Sequence, residues 1–280
     1  MTGSLLEIVN IRTGARRVVH RFDGVIEAPN WTVDGRMLIF NRAGKLFAWD
    51  LVTGIERRIY TGRLEHLNND HVLSPDGNAI AFSHHSADDG IARIYRLPLS
   101  GGEPALVTRE GPSYLHGWSP DGKQLAYCAE RNGQFDIYIM DVYGREPEVQ
   151  LTFTPELDDG PEFSPDGEHI WFNSAMKGPM QIWRMARDGS QAMAMTDDPN
   201  THDWFPHISP DGTWVVYLSY LRSEVRASNH PPGQSVAIRL MPASGGPSKT
   251  LLELYGGQGT INVNSWSPDS QELAFVSYKP

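Results

Sequence analysis

The sequence predicts an all-β fold: a six-bladed β-propeller of four-stranded antiparallel blades, with 1–280 as a single propeller. Its ring is expected to close by pairing N-terminal strands at 5–21 with C-terminal strands at 260–278. Three observations carry this prediction. A Ser-Pro-Asp-Gly turn recurs at the length of a propeller blade, a second series of glycine turns gives the same count, and the two chain ends are in complementary phase.

The tetrapeptide stands at Ser74–Gly77, Ser119–Gly122, Ser164–Gly167 and Ser209–Gly212, with relatives at Thr32–Gly35 and Ser267–Ser270. Its six aspartates are spaced by 42, 45, 45, 45 and 58 residues, so one insertion precedes the last turn. Proline presets φ for the first central position of a type I turn, aspartate suits the second, and glycine takes the left-handed position that follows. Such a turn joins two strands of a hairpin, which makes these aspartates structural rather than catalytic.

An apolar strand follows each turn: Met37–Phe40, Ala79–Phe82, Leu125–Tyr127, His169–Phe172, Trp214–Tyr217 and Leu273–Val276. Third strands are legible at Arg93–Leu97, Asp136–Met140 and Gln181–Met185. The second turn series then uses Gly14, Gly54, Gly102, Gly144, Gly189 and Gly246. The chain opens on a third-and-fourth strand pair, Leu6–Ile11 and Arg16–Val19, and ends on a first-and-second pair, Ile261–Trp266 and Glu272–Tyr278. Joining the two halves completes a blade and leaves no sheet edge exposed.

Composition excludes several function classes. A formal net charge of -10 with no lysine or arginine cluster gives no footprint for nucleic acid or an anionic membrane surface. The one cysteine, Cys128, lies in an apolar run and is expected to be a small buried hydrophobe. No apolar stretch approaches the roughly 20 residues of a membrane span. No secretory leader is visible at the N-terminus, so the expected location is cytoplasmic, or periplasmic if a leader has been removed. There is no Gly-x-Ser-x-Gly elbow and no His-Glu-x-x-His motif.

The Trp-Ser-Pro-Asp-Gly pattern at Trp118–Gly122, its relative at Trp266–Asp269, and the Leu-Ala-Tyr or Leu-Ala-Phe strands after them resemble the WD40-like repeat of TolB-type propellers. The resemblance covers essentially the whole chain. It implies a propeller that binds a partner, without the additional N-terminal α/β domain that TolB itself carries.

Candidate functional residues lie on the face opposite the uniform turns, where loops vary over a rigid scaffold. His66, His71, His116, His202 and His207 fall on or just before first strands, and His84, His85 and His230 in second-to-third connections. Counted back five residues from the turn aspartates, His71, His116 and Asn264 are equivalent to Pro29, Pro161 and Pro206, an offset expected to place them around one ring. The candidate ligand-binding set is His71, His116, Asp158, Asp159, His202, Asp203, Trp204, His207, Gln258 and Asn262. The stretch from Arg222 to Gln234 accounts for the long spacing and is expected to overhang this face as a lid.

Two functions are compatible with that set. The first is a binding module for a protein, a peptide or a small polar ligand, needing no cofactor. The alternative is a metal-dependent lyase or hydrolase acting on an oligosaccharide, as the similarity to propeller oligogalacturonate lyases implies. Its divalent metal would be held by His71, His116, His207 and Gln258, since histidine and carboxylate chemistry suits both metal and general acid–base work.

Overall fold

Each blade is built around its turn. In all six repeats the Ser or Thr hydroxyl of the turn accepts the backbone N–H five residues on, as in Ala79 to Ser74 Oγ at 2.9 Å and Trp214 to Ser209 Oγ at 2.9 Å. The same hydroxyl donates to the turn aspartate, as in Ser119 to Asp121 Oδ1 at 2.6 Å. These hydrogen bonds hold the exposed aspartates Asp76, Asp121, Asp166 and Asp269 below the usual carboxylate range. The residue after aspartate has φ near +70° in the five glycine copies, and Ser270 takes the same left-handed conformation at +60°.

The computed structural model describes residues 3–279; Met1, Thr2 and Pro280 of the expected 1–280 span lie outside the described residues. The chain begins with β1 (Gly3–Asn10) and β2 (Arg16–Asp23). Blade one is β3 (Glu27–Trp31), β4 (Met37–Arg42), β5 (Lys45–Asp50) and β6 (Glu56–Ile59). Blade two is β7 (Leu67–Leu73), β8 (Ala79–His85), β9 (Ala92–Pro98) and β10 (Ala105–Leu106). Blade three is β11 (Ser113–Trp118), β12 (Gln124–Arg131), β13 (Gln134–Asp141) and β14 (Val149–Gln150). Blade four is β15 (Asp158–Phe163), β16 (His169–Ser174), β17 (Gln181–Ala186) and β18 (Met193–Ala194). Blade five is β19 (Thr201–Ile208), β20 (Trp214–Leu221), β21 (Gln234–Pro242) and β22 (Lys249–Gly256), and β23 (Glu272–Tyr278) ends the series. All pairings within blades are antiparallel, and the first strand of each blade lines the axis, so β15 and β19 are buried along their whole length.

The sixth blade closes the ring as the chain phase predicts. β1 pairs with β2 on one side and β23 on the other, with Ser4 opposite Tyr278 and Asn10 opposite Glu272. The inner position of this blade is filled by residues 261–266, held to β23 by the bridge Trp266–Leu273 rather than by a regular ladder. A short 3-10 turn, Gln258–Thr260, feeds this segment, and its asparagine side chains are spent on contacts across the axis. At the seam, buried Glu7 receives a two-pronged ion pair from Arg16, both contacts at 2.6 Å, and a hydroxyl from Ser277. Apolar layers continue across both blade boundaries: Leu6 and Ile8 pack with Leu38, Phe40 and Trp49 of blade one, and Trp266 and Phe275 with Trp204 and Val216 of blade five. Among the described residues no helix is long and apolar enough to cross a membrane.

The seam is therefore expected to dominate stability. Ile8→Ala, at a fully buried position in the middle of β1, should cost about 2–5 kcal/mol in urea unfolding. Val52→Ala, in a hairpin turn and 82% exposed, should change it by less than about 0.5 kcal/mol. Equal effects from the two would show that the joined ends contribute little.

Candidate functional site

Every inner strand carries a bulge just before its apolar half, and the bulges aim side chains at the axis. The pairing slips between Glu27 and Asn30, Leu67 and His71, Leu115 and Gly117, Asp159 and Glu162, and Trp204 and His207. Three bulge residues have positive φ: Ala28 at 56°, Gly160 at 63° and Phe205 at 56°. For a residue as large as phenylalanine this conformation is strained, and the surrounding structure has to impose it. Asn173 does so in part, by accepting the Phe205 N–H at 3.0 Å.

These bulges surround a cavity of about 670 Å³ on the variable-loop face, within the size range of small-molecule sites. Glu27, Asn68, Asn69, Asp70, Tyr114, His116, Asp159, Phe205 and Gln258 come to it from the inner strands and the 3-10 turn. His85, Cys128, Phe135, Leu157, Ser228 and His230 complete the wall. No lysine or arginine lines it among the described residues. A second recess of about 370 Å³, at the other end of the axis, is collared by Pro75, Pro120, Pro165, Pro210 and Pro268 of the turns. His116 lines both, so it stands between the two mouths.

A polar network crosses the axis at the cavity floor. Asn262 Nδ2 donates to Asp70 Oδ1 at 2.7 Å and to Asn69 Oδ1 at 3.3 Å, tying the closing blade to blade two. Asn68 donates to the other Asp70 oxygen. His116 Nε2 lies 3.2 Å from Asp159 Oδ1, and its ring stacks on Phe205 with centroids 5.9 Å apart. His230 packs edge-on against Trp204 at 4.3 Å, with its Nε2 3.9 Å from Asp159 Oδ2. His116 Nδ1 and Asn262 Oδ1 are buried without a hydrogen bond in the protein.

The electrostatics follow from burial and from this pairing. Burial works against protonation of His116, but the Asp159 and Asp70 carboxylates outweigh it, and the pKa lies above the ordinary imidazole value. Burial likewise penalises the charge on Asp159, yet His116 holds its carboxyl below the usual range. Asp70 has no comparable partner: burial pushes it up, against the pull of His116 and two amides. Glu27 is also raised, first by burial and then by the charge of Asp70.

Of the ten residues picked from the sequence, His116, Asp159 and Gln258 line the cavity and Asn262 braces its floor. The other six are built into the walls between blades. His71 faces the Ile39 carbonyl, and burial lowers its pKa to about 4. His207 is held between Glu162 and the Ile261 carbonyl, both at 2.6 Å. His202 accepts the Met180 N–H at 3.0 Å. Asp158 and Asp203 accept hydroxyls from Thr154 and Ser219, and burial raises each to about 6. Trp204 is fully buried behind His230.

The expected metal ligands His71, His116, His207 and Gln258 are thus not brought to one point, because two of the histidines are committed to backbone carbonyls between blades. Among the described residues, the one group of three His, Cys, Asp or Glu ligand atoms within 4.8 Å is Asp166, Glu168 and His169, on a hairpin turn. Cys128 is buried as expected and also touches the cavity, its thiol donating to the Asp158 carbonyl at 3.2 Å. The 222–234 stretch contributes Ser228 and His230 to the cavity wall.

Sequence reasoning missed Glu27, Tyr114, Phe135, Leu157 and the orientation of Phe205. A signal was present for some of them. Seven residues before the turn aspartates stand Glu27, Asn69, Tyr114, Asp159, Trp204 and Asn262, and four of these line the cavity. The offset of five fails because the bulges differ. Three residues of β7 face one of β8 between Leu67 and His71, whereas His116 alone is extra in β11.

The His116–Asp159 pair carries a pH signature. His116 is raised above 6.5, so its contribution to stability is full below 6.5 and is lost as pH rises through the folded value. Asp159 is lowered below 3.8, so its contribution is present above 3.8 and is lost as pH falls through the folded value. Asp159→Asn should therefore lower the melting temperature more at about pH 5.5 than at about pH 9, and should move the His116 NMR titration to lower pH. An unchanged His116 titration would show that the pair does not act as described.

Comparison with known proteins agrees with this architecture. The TolB β-propeller domain model matches residues 115–236. An uncharacterized protein of Agrobacterium fabrum is 45% identical over 99% of this chain and 93% of its own length. A solved structure from Agrobacterium tumefaciens, carrying a provisional TolB label, superposes with a TM-score of 0.95 at 45% identity, over 100% of this chain and 99% of that one. The Tol-Pal system protein TolB of Francisella tularensis is 27% identical over 90% of this chain, which spans only 56% of that protein. The chain belongs to the family of TolB-like β-propellers.

Proposed function

We propose that this protein is a binding module, and that its loop face receives a peptide segment, the tip of a protein partner or a small polar ligand. One observation carries the reading. Blades one to five and the closing segment all send side chains into one cavity, and the floor of that cavity is a buried polar network that crosses the axis. The relative named for the Tol-Pal system supports a protein or peptide as the partner, and since this chain spans 56% of it, the support extends to the propeller only. The absence of lysine and arginine from the wall argues against nucleic acid at this face. The alternative, a metal-dependent enzyme on an oligosaccharide, loses its supporting set with the dispersal of His71 and His207.

The test is a thermal-shift screen of short peptides and small polar compounds against the native protein and Ser228→Trp, which fills the mouth from an exposed position. Ligands of the native protein should raise its melting temperature, since binding to the folded state alone stabilises it. The variant should melt normally and lose that response. A response that survives in Ser228→Trp would locate binding elsewhere and overturn the proposal.

A further inference from the structure

Resting on that reading, we infer that the cavity takes a primary ammonium carried on an apolar stem, such as an unblocked peptide N-terminus or a small amine. The charges of the wall point to it. Glu27, Asp70 and Asp159 are the acids, and no lysine or arginine answers them among the described residues. His116 is committed to Asp159 at 3.2 Å. Asp70 is 2% exposed and receives only neutral amide donors, from Asn68 and Asn262, which satisfy its oxygens without cancelling its charge. An anionic ligand would meet Glu27 and Asp70, which no lysine or arginine of the wall compensates, while a cation would be held by them. The overall charge of -10 draws cations toward this protein at long range as well.

The hydrogen-bonding inventory agrees independently. An ammonium has three donors and no acceptor, so its seat must offer acceptors only. Asn68 and Asn69 are engaged with Asp70 and Asn262, which leaves the carboxyl oxygens of Glu27 and Asp159 and the Gln258 amide as the acceptors of the wall. His116 lines the cavity and is 5% exposed, with its Nε2 turned to Asp159 at 3.2 Å. Phe205, Tyr114, Phe135 and Leu157 of the wall would flank the stem, and aromatic faces attract a nearby cation.

Four probes sharing one aromatic stem test this by calorimetry. They are the peptide amide Phe-Gly-Gly with a free amine, its N-acetyl form, phenethylamine and phenylpropionate. The free-amine peptide should bind roughly tenfold or more tighter than its acetylated form, as expected for loss of a charge-assisted contact. Phenylpropionate should not bind. Glu27→Gln and Asp70→Asn, each checked for native circular dichroism, should weaken the amines and spare the acetylated peptide; if Asp70→Asn does not fold, Glu27→Gln decides. Phenethylamine binding as well as the peptide identifies a small amine as the occupant, and weaker binding identifies a peptide N-terminus. Equal or tighter binding of the acetylated peptide or the acid would overturn the ammonium and leave the binding module standing. No binding of either amine at millimolar concentration would also overturn it, and the wider ligand screen would then judge the module separately.

Discussion

The pairing of β1 with β23 is the constraint on which the rest depends. Five blades are each local hairpin structures, but the sixth exists only when residues more than 250 apart in sequence form one sheet. The same closure brings Asn262 against Asp70, 192 residues away, and so builds the floor of the cavity. Fold and site therefore share one long-range event. Arg16 of the neighbouring β2 holds the buried Glu7 carboxylate in place, and Ser277 of β23 reaches it across the seam, so a slip in the register of the ends would cost that contact.

Much of the fold was legible because its signals are local. The Ser-Pro-Asp-Gly hydroxyl makes its hydrogen bonds within five residues, so the turn is written in four letters and repeats intact in four of the six blades. Even the departures obey the rule, with Thr32 supplying the hydroxyl and Ser270 accepting the left-handed backbone. The closing blade's inner segment departs from regular strand geometry for a reason no periodicity carries: Asn262 and Asn264 bond across the axis, to Asp70 and to Glu162.

The site was half legible. Residue types on the variable face were readable, but their orientation was not, because a bulge moves every side chain beyond it to the other face of the strand. His71 and His116 hold the same offset from their turns, yet one is sealed between blades and the other stands on the axis. Glu27 shares only the offset of seven from its turn aspartate. Its place follows from Gly259, where a side chain would collide with Glu27 and the Tyr278 hydroxyl, so the closing blade's turn packs directly against the acid.

The distribution of polar groups separates what the scaffold requires from what a ligand requires. His207, Glu162 and Asn264 bond one another and nearby carbonyls, a closed set that binds three inner strands together. Asp70, Asn262 and His116 form a second set on the same axis, at the floor of the cavity, where burial pushes the Asp70 carboxyl up. Asp158 and Asp203 are buried acids too, but they face hydroxyls within the walls, whereas Asp70 lines the cavity. On the proposed reading, a cation at that floor would relieve the burial of Asp70, so the acids that line the cavity, rather than the histidine count, are what distinguish this face.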